Sequence, residues 1–274
     1  MRPDDIPFGL ALCRIAGWNQ LEQDWRRILD LNPQCVYVAE REGTACGTAS
    51  IMCCSRKVAW IGMVLVHPDH RKHGVGSTLM RHCIDVLREA RIECTKLDAT
   101  EQGRRVYQKL GFEDERPICR YSLNSLPVAR EVLHPAIADN DWLSVAKQDH
   151  AAFGADRLPL LRHMASDCFT AVARSPKGSR GFGFARIGFN ASHLGPIVAA
   201  SAECAGGLIT SLLAQLPAHK TVYWDGFPDN IHARRLAETM GFHAERHLTR
   251  MRLGGSDTAT QAEEIYAAAG FELG

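Results

Sequence analysis

The 274-residue sequence predicts a mixed α/β fold in which two tandem copies of one unit each form a mixed sheet covered by helices. Apolar, β-branched runs come first as hairpins and then alternate with amphipathic helical segments, which is the pattern of such a sheet. Residues 109–120 (KLGFEDERPICR) also match residues 239–250 (TMGFHAERHLTR) at five positions without a gap. We therefore expect two domains, at 1–127 and 128–274, with the boundary near 126–130.

Apolar periodicity places the elements of the first half. An amphipathic helix is expected over 18–29, where Asn32 and Pro33 follow and end it. A turn at Glu42 and Gly43 joins the first two strands into a hairpin. The expected strands are 35–40, 45–54, 57–66, 93–97 and 116–123, the last of which completes the unit, and further helices are 77–88 and one that ends at Gly111.

The charge balance narrows the class of partner. The chain has 32 basic and 31 acidic residues, which give a formal net charge of +1. Nucleic-acid and membrane surfaces attract a clustered excess of positive charge, so we expect neither as a partner. The N-terminal region carries Asp4 and Asp5 and no long apolar run, which predicts neither a signal peptide nor a membrane span.

The ten cysteines show no C-x-x-C pair and no zinc-binding spacing. Several lie in apolar segments, where a free cysteine behaves as a small hydrophobic residue. We therefore expect no metal site and no structural disulfide, and a reducing cytoplasm as the compartment.

A phosphate-binding turn is predicted after the third strand, in the sequence VLVHPDHRKHGVG from Val64 to Gly76, with a helix from Ser77. Glycines let the backbone approach an anion closely, and the unpaired amides of a helix's first turn point at it. The dinucleotide fingerprint G-x-G-x-x-G is incomplete here, and a Walker Gly-Lys-Ser/Thr is absent. A nucleotide-dependent redox protein is therefore disfavoured.

Two motifs together resemble the GNAT acetyltransferases across most of residues 18–123. The first, VHPDHRKHGVG at 66–76, contains the R-x-x-G-x-G signature for coenzyme A, and the second, VYQKLGF, spans 106–112. The resemblance implies that the backbone of Val64, Leu65 and Val66, on a bulged strand splayed from its neighbour, holds pantetheine and stabilises the oxyanion. It implies a pyrophosphate cradle formed by Arg71, Lys72, His73, Gly74, Val75, Gly76, Ser77 and Thr78.

By the same resemblance, Tyr107 is the general acid that protonates the departing coenzyme A sulfur. A phenol has a pKa of about 10, so it is protonated at neutral pH and can donate to a thiolate whose pKa is about 8.5. The alternative is a core aromatic residue beside Leu110. Many relatives have an asparagine that contacts the cofactor where this chain has Thr100. Gly103 stands where alanine is usual, which either close approach of coenzyme A or a later helix start would explain.

No general base stands out for the acceptor amine, and Glu40, His67, Asp98 and Glu101 are candidates beside water. By resemblance, Trp18, Asn19 and Gln20 line the acceptor side. An equally good interpretation is a helix start that Asn19 caps while Trp18 packs inward.

The second half resembles the same fold in a degenerate form. Residues 194–203 (LGPIVAASAE) keep a strand and a proline but lack the arginine and the glycine pair. Ala237 stands at the position of Tyr107, and Asn230 is read as a helix cap. We expect this half to be structural or to shape the acceptor pocket. Asp156 and Arg157 could contact the acceptor, although a solvated turn is favoured. The C-terminal tail follows Gly254, and its apolar end at 263–271 is expected to dock on the body of the protein.

The sequence therefore predicts an acetyl-CoA-dependent N-acetyltransferase in which a primary amine attacks directly in a ternary complex. The acceptor is a small molecule or a peptide of unknown identity, no metal takes part, and a homodimer remains open. The alternative is a non-catalytic sensor that binds acyl-CoA.

Overall fold

Two helices precede the first strand and pack against each other: α1 (Ile6–Ile15) and α2 (Glu22–Leu31). The computed structural model describes residues 1–126, 131–176, 178–218, 220–255 and 259–274. Sequence analysis missed α1, because Pro7 and Gly9 weaken its helical pattern. Gly9 is needed there, since a Cβ would lie 2.8 Å from the Trp25 ring. The helix predicted at 18–29 begins only at Glu22, where the Asp24 carboxylate accepts a hydrogen bond from the Leu21 amide (2.8 Å).

The remaining elements of the first half follow the predicted order. The strands are β1 (Val36–Arg41), β2 (Thr44–Cys53), β3 (Val58–Val66) and β4 (Cys94–Ala99), with α3 (Val75–Glu89) between the last two and α4 (Glu101–Gln108) after them. Strands β1, β2 and β3 pair antiparallel, and β3 pairs parallel with β4. The second half begins with two helices, α5 (Trp142–Phe153) and α6 (Leu158–Ala165), and then repeats this order. It contains β6 (Phe169–Ser175), β7 (Gly178–Ile187), β8 (Ser192–Ala199), α7 (Ala202–Gln215), β9 (Val222–Gly226) and α8 (Ile231–Thr239).

Each half gives its last long strand to the sheet of the other half. These strands are β5 (Glu113–Leu123) and β10 (His243–Leu253), and β11 (Ile265–Ala267) pairs with β8. The strand order is β1-β2-β3-β4-β10-β5-β9-β8-β7-β6. The expectation that the strand at 116–123 completes its own unit is therefore wrong, because β10 takes that place beside β4. The domain boundary falls at 127–130, outside the described residues, and remains a prediction.

Reciprocal ion pairs join the exchanged strands to the sheets that receive them. Arg120 on β5 donates two hydrogen bonds of 2.7 Å to Asp225 on β9. Arg250 on β10 donates in the same way to Asp98 on β4, at 2.9 and 3.0 Å. Both arginines belong to the repeated sequence, so the repeat carries the contacts that hold the halves together.

Helices cover both faces of the sheet. On one face α1, α2, α5 and α6 enclose a core that includes Trp25, Trp60 and Phe184. On the other face α3 covers the first half and α7 the second. Among the described residues, no helix combines the length and apolarity needed to cross a membrane.

Candidate active site

A bulge interrupts β3 around Met63, next to the residues for which the resemblance implies one. Thr48 pairs with Leu65 and Ser50 with Gly62, so β3 has one extra residue over this step. Met63 has a φ of +51°, and its carbonyl accepts a hydrogen bond from the Thr48 hydroxyl (2.8 Å). The C=O and N–H of a trans peptide point in opposite directions, so the Val64 amide is directed away from β2 and toward the side where β4 lies.

The strands β3 and β4 part beyond this point. They pair only from Val58 with Cys94 to Trp60 with Lys96. The later residues of β3 and the end of β4 form a fork, and the fork opens into a cleft of about 770 Å³ that includes its open mouth. The cleft is lined by Trp18, Asn19, Gln20, Ile61, Gly62, Met63, Val64, Leu97, Asp98, Thr100, Tyr107, Arg120, Arg246, Leu248, Phe271 and Glu272.

The glycine turn and the start of α3 lie at the end of β3, where the sequence predicts an anion cradle. Helix α3 begins at Val75, two residues earlier than predicted, with Gly74 as its N-cap at a φ of +82°. The first-turn amides of Val75, Gly76 and Ser77 therefore have no partner within the helix, whereas Thr78 already donates to the Gly74 carbonyl (2.9 Å). The Arg71 guanidinium folds back onto the Val66 carbonyl (3.1 Å), which fixes the turn against the strand.

Tyr107 lies on α4 and reaches the cleft from the α3 side of the sheet. Burial raises the pKa of its phenol to about 12, so the group is protonated at neutral pH. The structure also explains Gly103: a Cβ there would lie 3.1 Å from the Tyr107 ring. A late helix start is excluded, because α4 begins at Glu101 and Thr100 caps it by accepting a hydrogen bond from the Gly103 amide (3.2 Å).

The wall of the cleft opposite Tyr107 is lined by Trp18, Asn19 and Gln20. The two amide side chains differ in whether their polar atoms are already hydrogen-bonded. Asn19 does not cap α2. Its Oδ1 accepts from the amides of Asn190 and Ala191 (2.8 and 2.9 Å), and its Nδ2 donates to the Ala191 carbonyl. It therefore joins the halves and has little left for a substrate. Gln20 is 92% buried, and its Oε1 has no hydrogen-bond partner within the described residues.

Two carboxylates line the cleft, and only one was a candidate base from the sequence. Burial raises the pKa of Asp98, but Arg250 holds both of its oxygens, so it is engaged in an ion pair. Of the other candidates, Glu40, His67 and Glu101 do not line the cleft. The second carboxylate, Glu272, comes from the C-terminal tail.

Glu272 packs directly on the bulged strand. A Cβ on Gly62 would lie 2.9 Å from the Glu272 carbonyl oxygen and 3.0 Å from its Cα. Its Oε1 accepts a hydrogen bond from Arg186 (2.9 Å), and burial raises the pKa of the carboxyl although Arg186 opposes this. No sequence pattern marked Glu272, because the tail has no periodicity and Glu272 lies 160 residues beyond the second motif, which ends at residue 112.

A buried chain of polar contacts runs from Glu272 through the second half to Arg120 of the first half. Arg186 donates to the Nδ1 of His193 (3.0 Å), and the His193 Nε2 lies 3.0 Å from Asp225, which Arg120 also holds. Since Arg186 can only donate, His193 carries its proton on Nε2 and is neutral. Burial and then Arg186 lower the pKa of His193 to about 4.

The corresponding fork of the second half is filled by the chain itself. Strands β8 and β9 pair only as far as Leu194 with Trp224, and β11 then pairs with β8. The Ala268 amide donates to the Asp225 carbonyl (2.8 Å) on the other side of the fork. Asn230 caps α8 as predicted, and its Nδ2 also donates to the carbonyls of Glu263 and Ile265 (2.9 and 3.0 Å).

The tail therefore docks as expected, and it continues from the second fork into the first cleft. The Phe271 carbonyl accepts a hydrogen bond from the Trp60 indole (3.0 Å). Arg157, which was expected in a solvated turn, is buried, pairs with Asp149 at 2.7 Å and donates to the Gly274 carbonyl. It does not line the cleft.

Comparisons with known proteins match both halves to one family. A model of the acetyltransferase (GNAT) family matches residues 10–112, and a model of an acetyltransferase (GNAT) domain matches residues 145–267. An uncharacterized N-acetyltransferase, YitH, of Bacillus subtilis (strain 168) is 27% identical over 210 residues, which cover 75% of this chain and 73% of that protein.

Solved structures share this fold over most or all of the chain. A putative acetyltransferase from Pyrococcus horikoshii superimposes with a TM-score of 0.86 at 23% identity, covering 100% of this chain and 94% of that one. A tandem GNAT protein from the clavulanic acid biosynthesis pathway gives a TM-score of 0.60 at 17% identity, covering 87% and 90%.

Proposed function

We propose that this chain, which belongs to the GNAT acetyltransferase family in both of its halves, is an N-acetyltransferase that transfers the acetyl group of acetyl-CoA to a primary amine. One observation carries the proposal. A single cleft connects the bulged, splayed strand β3 with Tyr107 on one side and with a wall built by the second half on the other. The cleft is therefore accessible to two reactants that meet at the fork.

Acetyl-CoA fits the first half of this cleft. The unpaired amides of Val75, Gly76 and Ser77 suit the pyrophosphate, and Arg71, Lys72 and His73 add donors or positive charge beside it. The fork between β3 and β4 has the extended shape that pantetheine needs. Thr100 uses its hydroxyl as a helix cap, so it does not replace the asparagine of many relatives through that oxygen.

The Val64 amide is the proposed donor to the thioester carbonyl. As the amine nitrogen attacks, the C–N bond forms and negative charge develops on the carbonyl oxygen. A preorganised amide directed at that oxygen stabilises the transition state more than the ground state, and such a donor contributes about 2.7–4 kcal/mol in other enzymes. The C–S bond then breaks and the sulfur leaves.

Proton transfer needs one base and one acid. An amine is protonated near pH 7, and we assign Glu272 as the base that takes its proton, because this residue lines the cleft, its main chain packs on Gly62 of the bulged strand, and burial raises the pKa of its carboxyl. Tyr107 gives its proton to the departing sulfur, and the second proton, which the nitrogen sheds once the C–N bond has formed, returns to the Tyr107 phenolate through water. Burial that disfavours a phenolate disfavours a thiolate as well, so the transfer stays feasible although the phenol pKa is about 12.

The test is to incubate the full-length protein with acetyl-CoA and a panel of amino acids, other small amines and short peptides. Free coenzyme A is quantified by chromatography and acetylated products by mass spectrometry, since exposed Cys53 would react with thiol reagents. We expect an acetylated amine and coenzyme A in equal amounts. Tight coenzyme A binding by calorimetry without any acetylated product would refute the enzyme and favour an acyl-CoA sensor.

A further inference from the structure

Arg246 on β10 lines the cleft on the side of Trp18, Asn19 and Gln20, which we call the acceptor wall, and no carboxylate within the described residues pairs with it. Its side chain is partly buried, and within the described residues its guanidinium makes no hydrogen bond or ion pair. The regular stretch of β10 puts Arg246, Leu248 and Arg250 on one face, and Arg250 lies 4.4 Å from the Trp60 ring. Arg246 therefore shares the face of Trp60 and of the acceptor wall, opposite to the face of Tyr107.

The repeat supplies an internal comparison for this arginine. Arg246 corresponds to Arg116 at the offset of 130 residues, and Arg116 is neutralised by Asp229 through bonds of 3.1 and 2.6 Å. The same offset places Ala99 where a carboxylate would neutralise Arg246. The copy that faces the cleft thus has alanine at this position, while the other copy has an acid.

The neighbouring charges do not compensate for this missing acid. Arg246 pairs across the strands with Arg120, and like charges placed opposite each other are destabilising. Arg120 is balanced by Asp225, Asp98 by Arg250, and Glu272 by Arg186. The charged groups that line the cleft are therefore matched in pairs, and a net charge of +1 remains on Arg246.

A hydrogen-bond acceptor is available in the same cleft. Gln20 lines it, and its buried Oε1 lacks a partner within the described residues. Burying such an oxygen without a donor costs free energy, which a bound N–H group would recover. The wall thus offers one cation and one acceptor, a set that matches a molecule with a carboxylate and an N–H group.

We propose that the acceptor is an amine that also carries a carboxylate, as in an amino acid, and that Arg246 binds this carboxylate. The proposal rests on the proposed acetyl transfer and names its substrate class. Arg120 supports the contact, because its Nη1 makes no hydrogen bond within the described residues while Nε and Nη2 hold Asp225.

The experiment compares each amino acid with its carboxamide, which has the same amine but no negative charge. Wild type, Arg246→Ala and Arg246→Lys are assayed with acetyl-CoA, and Arg252→Ala on the same strand is the control, since it does not line the cleft. We expect wild type to prefer acids over amides by at least about 10-fold in kcat/KM. Arg246→Ala should lower kcat/KM for acids by about 10- to 100-fold and leave the amides within about twofold, while Arg246→Lys recovers part of the loss.

Other outcomes would overturn the proposal. Equal use of acids and amides by wild type would do so, as would an equal loss on both substrates in Arg246→Ala or a change confined to the KM for acetyl-CoA. If the protein acetylates no amine, the proposed acetyl transfer is refuted, and the carboxylate site is then tested by ligand binding alone. Calorimetry with N-acetyl amino acids and their amides on coenzyme A-loaded protein should show acid-selective binding that Arg246→Ala abolishes, and its absence refutes the site.

Discussion

Replacing Tyr107 by phenylalanine removes the proposed acid and little else. The Tyr107 hydroxyl makes no hydrogen bond within the described residues, and the ring packs against Gly103 and Phe112. A buried tyrosine hydroxyl that is bonded contributes about 0.5–1.5 kcal/mol to stability, so here we expect the free energy of unfolding to change by less than about 0.5 kcal/mol. Loss of a general acid lowers kcat by about 10²- to 10⁴-fold.

The assay is steady-state acetylation with the best amine, with coenzyme A quantified by chromatography, and urea unfolding measured in parallel. Tyr121→Phe is a matched control: burial also raises the pKa of Tyr121 to about 12, but this residue packs in the second half, away from the cleft. KM for acetyl-CoA should stay nearly constant in both variants. A Tyr107→Phe rate within about twofold of wild type would remove Tyr107 from the mechanism.

The pH profile gives a second check on the same residue. Because burial raises the pKa of Tyr107 to about 12, the phenol keeps its proton over the accessible range. A freely exposed phenol with a pKa of about 10 would begin to lose its proton near pH 9, whereas Tyr107 should cause no fall in kcat below about pH 10. A descending limb between pH 8 and 9 that disappears in Tyr107→Phe would contradict this assignment of the pKa.

Three further predictions test the cradle, the filled fork and the buried histidine. In Gly76→Ala the new Cβ would meet only the Val66 side chain, at 3.5 Å, so the free energy of unfolding should not change. KM for acetyl-CoA should rise about 10-fold or more, because the methyl group lies where the pyrophosphate would approach the backbone. Gly206→Ala in α7 is the control, and an unchanged KM in Gly76→Ala would argue against the cradle. Gly195 has a φ of +136°, and in Gly195→Ala the new Cβ would clash with the Ala268 carbonyl. Hydrogen exchange over residues 263–269 should therefore become faster, and the free energy of unfolding should drop by about 1–3 kcal/mol. Full protection of that segment in the variant would refute the docking of the tail in the second fork. Burial and then Arg186 hold the pKa of His193 at about 4, below the value of about 6.5 in the unfolded chain. As the pH falls, protons therefore bind the unfolded chain first, and the free energy of unfolding should decrease by roughly 3 kcal/mol from pH 7 to pH 4. Urea unfolding measures this decrease, which should be smaller in His193→Gln.

The sequence predicted the local features of the site because each is a short, continuous pattern. The glycine turn before α3, the bulged strand and Tyr107 all lie in the two motifs, and their elements start or end within a few residues of the predicted positions. The bulge at Met63 follows from the resemblance rather than from composition. The wall that faces them could not be predicted in this way, because it comes from β5, β10 and the tail.

The strand exchange is invisible in the repeat itself. Two copies of one sequence predict two similar strands, but β5 and β10 carry the same apolar pattern and fit either sheet. The Arg120–Asp225 and Arg250–Asp98 pairs stabilise the exchanged arrangement, in which each arginine contacts a carboxylate of the other half. Because both strands carry the arginine and both receiving strands carry an aspartate, the residues themselves do not specify which strand joins which sheet. For the same reason Arg246 and Arg116 look equivalent in the sequence, and only the pairing shows that one of them lacks an acid.

The duplication explains why the described part of the chain has one open and one filled fork, and why both halves line the open one. Pseudo-symmetry gives the molecule two forks, and the tail occupies the second by pairing with β8 and binding Asn230. The same segment then delivers Phe271 and Glu272 to the first cleft, which β10 also walls with Arg246. A ligand in the second fork would have to displace the tail, and displacement would remove Glu272 from the first. The second half has therefore become a part of the first half's site, since the residues that close one fork complete the other.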